Sequence, residues 1–147
     1  MILNRQGRVR IPIGNLEQFL SRARRMLHLP ADSLTICFVT DSEMARWNRA
    51  YHGKNRPTDV LSFPADTLQD RRASARAKLQ ASRYLGDIAI APVVALRNAR
   101  FMGRPLDGEL KVLILHGILH LMGYDHETDT GQMDRRERRL RRALGLT

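Results

Sequence analysis

Three of the chain's five histidines fall within one short stretch, His116-Gly117-Ile118-Leu119-His120-Leu121-Met122-Gly123-Tyr124-Asp125-His126. His116 and His120 are four apart, so on a helix they stand about 40° apart around the axis and one turn apart along it. Both imidazoles can then reach one metal ion from one face. Gly123 stands where a helix end favours a residue with positive φ. A chain that turns there can swing His126 back as a third ligand. Three histidines, with a fourth position left to water, make the donor set of a catalytic zinc site.

The spacing H-x-x-x-H-x-x-G-x-x-H matches that of the metzincin proteases at every position but one. Those enzymes carry Glu after the first His, as the base that takes a proton from the zinc-bound water. Here that position is Gly117, which accepts no proton. A peptidase is therefore one reading, with its base missing. A structural metal is another, but such sites are usually closed by a fourth protein ligand, commonly Cys. The only cysteine, Cys37, is far away in sequence, in a stretch that reads as a buried strand. The spacing favours a metal-dependent hydrolase whose chemistry is not that of a metzincin.

Charge narrows the substrate. The formal net charge is +10 and the isoelectric point is near 11.1, a surplus that attracts polyanions and releases their counterions on contact. Nucleic acid is the first candidate and an anionic membrane surface the second. Beside a hydrolytic metal site, the charge points to a phosphodiester. At 147 residues with 43% hydrophobic content, one folded domain with a real core is expected. A single cysteine forms no intrachain disulfide and fits a reducing cytoplasm. The opening residues lack the apolar region of a secretion signal, and no apolar run is long enough to span a bilayer.

In chain order, Val9-Arg10-Ile11-Pro12-Ile13 reads as a short edge strand. A helical stripe follows in Leu16, Phe19, Leu20, Ala23, Met26 and Leu27, beside the solvated Arg22, Arg24 and Arg25. Leu34 to Val39 is nearly continuous in apolar residues, as in a central strand. Thr40 to Glu43 has the spacing of a capping box, opening a helix with Met44, Trp47 and Tyr51 inward. His52 to Asp59 is a polar, basic loop. Val60 to Phe63 and Leu85 to Ile90 are strands, expected to pair antiparallel through a long loop or short extra helix over residues 65–83. Pro92 opens a helix that carries Val93, Val94, Leu96, Ala99 and Phe101 to a stop at Gly103. The histidine helix starts near Pro105 and is apolar nearly all round, so it should be buried. A last helix, about Gly131 to Leu144, packs Met133, Leu140 and Leu144 and carries six arginines.

Taken together, H-G-x-L-H-L-x-G-Y-D-H, Pro57-Thr58-Asp59-Val60-Leu61-Ser62-Phe63-Pro64 and Leu85-Gly86-Asp87-Ile88-Ala89-Ile90 make the chain resemble the YbeY family from about Leu34 to Leu146. The resemblance implies a bacterial, zinc-dependent endoribonuclease involved in ribosomal RNA maturation and ribosome quality control. It also implies that His116, His120 and His126 are the zinc ligands. The family usually has Arg directly after the aromatic residue that precedes P-T-D. Here Tyr51 is followed by His52, with Lys54 and Arg56 nearby, so these three are the candidate catalytic cations. Asp59 and Asp87 also match family positions.

The expected architecture is an α+β domain, a mixed sheet of about four strands flanked by helices, with the metal helix buried and the P-T-D loop across a basic cleft. The expected partner is single-stranded RNA, since a splayed backbone can reach a recessed metal, with ribosomal RNA or ribosomal proteins in view and no membrane. The readings still to be separated are this nuclease, a metallopeptidase, and a non-catalytic RNA-binding ribosome factor with a structural metal.

Overall fold

Buried and less buried residues alternate along Leu34-Thr35-Ile36-Cys37-Phe38, and that period of two divides the sheet into two faces. The computed structural model describes residues 1–53, 58–65, 84–125 and 127–146, the side chain of His52 excepted. Within them the order is β1 (Ile2–Asn4), α1 (Ile13–Met26), β2 (Leu34–Phe38), α2 (Asp41–His52), β3 (Val60–Pro64), β4 (Gly86–Ile90), α3 (Pro92–Phe101), α4 (Leu106–Leu121) and α5 (Gln132–Ala143). The four strands lie in the order β1-β2-β4-β3. β1 and β4 each pair parallel with β2, and β3 pairs antiparallel with β4. The sheet is mixed and the domain α+β, as the sequence implies.

One face carries Leu34, Ile36, Phe38, Ile88 and Ile90 into the main core, where they meet Leu16, Phe19 and Leu20 of α1, most of α4, and Met133 and Leu140 of α5. The opposite face carries Leu61 and Ala89, with Cys37 and Phe63 at their margin, against Met44 and Trp47 of α2 and Val94 of α3. The apolar excess lies with the first face. Burying it there is the main force that holds α1, α4 and α5 to the sheet.

Three local readings need correction. Val9 to Ile13 is not a strand. The edge strand is Ile2–Asn4, and Pro12 caps the start of α1 instead, where its fixed φ and missing N–H do no harm. The Gln6 side chain holds the intervening turn, accepting from the N–H groups of Arg8 and Val9 and donating to the Val9 carbonyl. Tyr51 was expected inward but is 68% exposed, and Phe101, assigned to the buried stripe of α3, is 92% exposed. Each lies at the end of its helix, where the apolar stripe has run past the element that covers it. Residues 66–83, the expected long loop, lie outside the described set.

The expected helix boundaries hold. The Thr40 hydroxyl accepts from the Glu43 N–H at 3.1 Å, capping α2, and Gly53, with φ 69°, ends it. Pro92 opens α3. Among the described residues no helix is long and apolar enough to cross a membrane.

Candidate metal centre

α4 owes its place to one glycine. A Cβ on Gly117 would lie 2.8 Å and 2.9 Å from carbons of Ile88 on β4, inside any real carbon–carbon contact. The helix therefore touches the sheet at this residue. The Ser62 hydroxyl, on neighbouring β3, donates to the Gly117 carbonyl at 3.2 Å. Gly117 thus faces the sheet, which turns His116 and His120 to the half-buried flank of the helix. A glutamate in place of Gly117 would press its Cβ into the Ile88 side chain. The missing protease base is a consequence of how the helix packs.

The end of α4 is built as the sequence predicts. Gly123 has φ 99°. Its N–H donates to the His120 carbonyl and the Tyr124 N–H reaches back to the Leu119 carbonyl. This pair of bonds is a Schellman stop. Tyr124 packs against the main core, as a residue just past such a stop commonly does. The turn at Gly123 takes the chain out of the helix ahead of Asp125.

Nε2 of His116 and Nε2 of His120 lie 3.1 Å apart, with ring centroids 4.7 Å apart and planes at 74°. Nδ1 of His116 meets Oε1 of Glu137, on α5, at 3.1 Å. A carboxylate only accepts, so the Nδ1 proton of His116 points to Glu137 and the lone pair is left on Nε2. Two Nε2 atoms this close share a proton or a cation. Two Zn–N bonds of about 2.0–2.1 Å at a tetrahedral angle put their nitrogens about 3.3 Å apart, close to the separation seen. The pair and its carboxylate partner therefore fit a metal ion. His126 lies outside the described residues, and among those described no group of three His, Cys, Asp or Glu side chains is placed to hold a metal. Cys37 offers no alternative ligand, since it packs at the margin of the α2 side of the sheet while α4 covers the other.

The same chain is matched by known proteins along nearly its whole length. The family described as Endoribonuclease YbeY matches residues 2–145. The chain belongs to the YbeY family. Relatives named endoribonuclease YbeY include one from Koribacter versatilis, 39% identical over 90% of this chain and 77% of its own length. Another, from Syntrophotalea carbinolica, is 36% identical over 92% of this chain and 85% of its own. The solution structure of TM1509 from Thermotoga maritima superposes with a TM-score of 0.63 at 26% identity, covering 98% of this chain and 89% of that one.

The YbeY motifs acquire distinct physical roles. In the P-T-D-V-L-S-F-P run, Ser62 braces α4. Asp59 ties the start of β3 to α3, accepting from the Asn98 amide at 3.4 Å, while its carbonyl accepts from the Ala91 N–H. Asp87 accepts from the Tyr84 hydroxyl, which also lies 2.9 Å from Thr35 Oγ1. Burial and the bond to Asp87 raise the Tyr84 pKa. Asp87 is a neighbour of Ile88 along β4 and so points away from α4. Gly86 holds φ 144° with the Phe63 carbonyl 2.2 Å from where a Cβ would sit, so no other residue fits there.

Of the candidate cations, His52 is the last residue of α2, and Lys54 and Arg56 lie outside the described residues. The sequence reading missed Glu137 as the partner of His116. Its signals are a carboxylate in an arginine-rich helix, one turn past the buried Met133, and its place in the stretch that resembles the family.

Proposed function

We propose that this YbeY-family chain is a zinc-dependent, single-strand endoribonuclease that acts in ribosomal RNA maturation and ribosome quality control in the bacterial cytoplasm. The observation that carries the reading is the convergence of His116 and His120 at 3.1 Å, with Glu137 fixing the tautomer of the first. His116, His120 and His126 would hold the ion. Zinc bound there would supply a Lewis acid for a phosphate oxygen and a water activated near neutral pH.

The chain's own residues do the rest. Glu137 keeps the His116 lone pair aimed outward, and Gly117 and Ser62 fix the helix that carries both imidazoles. His52, Lys54 and Arg56 are the cations proposed to offset the charge that develops on the phosphate. The net charge of +10 gathers RNA through its phosphates, so binding should weaken steeply with salt. The names of the relatives and the sign of this charge both favour RNA. The packing of Gly117 on Ile88 speaks against a peptidase.

Chelation should stop cleavage of a single-stranded RNA while leaving most of its binding, and added zinc should restore cleavage. Cleavage that persists in His120→Ala, or an affinity flat between low and high salt, would contradict the reading. His52→Arg should keep or raise activity, because Arg stays charged where His, with a free pKa of about 6.5, loses its proton. The ratio of variant to wild-type rate should therefore grow from about pH 6 to about pH 8.5. A flat ratio would move the role from His52 to Lys54 or Arg56.

A further inference from the structure

The Tyr51 ring has no part in the metal centre, yet its placement is specific. It stands 68% exposed at the end of α2. Phe63 holds it from below, with centroids 5.0 Å apart and planes at 68°. Phe63 is held in turn by the partly buried Trp47 ring, 5.8 Å away at 88°. The result is a braced aromatic ring, with the exposed cations Arg46 and Arg49 on the same helix. A fixed ring loses little entropy when a flat partner stacks on it.

β3 links this ring to the metal helix. Phe63 points to the α2 side, and the preceding residue, Ser62, points to the α4 side and bonds the Gly117 carbonyl, next to His116. The aromatic platform and the histidines thus lie on opposite sides of one strand. That strand ends the sheet among the described residues. Phe101 is still more exposed, but it lies just before the start of α4, whereas His116 and His120 are near its end. At 1.5 Å per residue that puts it on the order of 15 Å or more away.

We propose that Tyr51 stacks one nucleobase of a single-stranded RNA whose backbone crosses β3 to reach the histidine turn. The inference rests on the ribonuclease reading and adds to it a base-binding subsite that tolerates any base, because every base has a flat face.

The test is equilibrium binding of a 2′-O-methyl oligouridylate about eight nucleotides long and of its abasic counterpart. Tyr51→Leu keeps an apolar contact with Phe63 but removes the stacking ring. It should weaken the base-bearing oligonucleotide roughly fivefold or more and leave the abasic one unchanged. Tyr51→Trp should bind at least as tightly as wild type. If Tyr51→Leu binds the base-bearing strand like wild type, or loses both oligonucleotides alike, the stacking role is wrong while the ribonuclease reading stands. If wild type binds neither strand, both readings fall together.

Discussion

The two sides of the sheet differ in more than size. The α4 side buries Ile36, Phe38, Ile88 and Ile90 under three helices, and its chemistry is rigid: Gly117 on Ile88, Ser62 on Gly117, Glu137 on His116. The α2 side buries a much smaller cluster around Met44, Leu61 and Ala89, and its helix ends with the exposed Tyr51 ring, with His52 next in sequence. A metal site needs imidazoles held to within a few tenths of an ångström, which a close-packed core can do. A surface that meets a flexible polymer needs reach and charge instead. Under the proposed function, the metal-holding and RNA-facing tasks would fall to different packing regimes.

The largest effect that could break this comparison is expected at the contact of α4 with the sheet. Gly117→Glu restores the residue that a metzincin would have, but forces its Cβ against Ile88 and adds a charge at a buried position. Overpacking costs about 1–3 kcal/mol and an unpaired buried charge several more, so the variant should lose about 3 kcal/mol or more in chemical denaturation and gain no peptidase activity. A near-wild-type midpoint would mean that the helix is not pressed on the sheet at this point.

Glu137→Ala comes next. It should lower zinc affinity about 10- to 100-fold, as loss of a carboxylate behind a histidine ligand commonly does. Competition with a zinc chelator would read the change. An unchanged affinity would make α5 mere cover for the core.

On the α2 side the effects should be smaller and separable from metal. Thr40→Ala removes the cap of α2 and should cost about 1 kcal/mol of stability without moving zinc affinity. A shift in both would show that the two sides are coupled.

Smallest is the effect at Cys37, whose pKa is raised, mainly by burial, with Arg5 opposing. The folded thiol holds its proton more tightly than the unfolded one. Stability from this group is therefore present below the unfolded pKa and is lost as pH rises through the higher folded value. At pH 8 it should be alkylated more slowly in the folded protein than after denaturation. Equal rates would place Cys37 at the surface.

What the sequence made legible follows the same division. Helix α4 announced itself through its apolar run and Gly123 stop, and the two central strands through Leu34 to Val39 and Leu85 to Ile90. These are local patterns, and local patterns survive without knowledge of the fold. β1 did not announce itself, because three residues carry too little periodicity and gain their place only by pairing with β2. Tyr51 and Phe101 continue their helical stripes faultlessly, and only the tertiary arrangement leaves them uncovered. Gly117 was visible as an absent base, but its reason, the approach of Ile88 from 29 residues earlier in the sequence, was not. Glu137 lay 21 positions from its histidine, beyond any helical spacing.

The central claim is that His116 and His120 share one metal with His126 and leave a position open. X-ray absorption at the zinc edge of the stoichiometric complex tests it most directly. The account predicts a shell of nitrogen and oxygen neighbours at about 2.0–2.1 Å, three of them imidazoles by their outer scattering, with no sulfur. His120→Ala should fail to retain one zinc per chain. A sulfur neighbour at about 2.3 Å, or a spectrum and stoichiometry unchanged in His120→Ala, would contradict it.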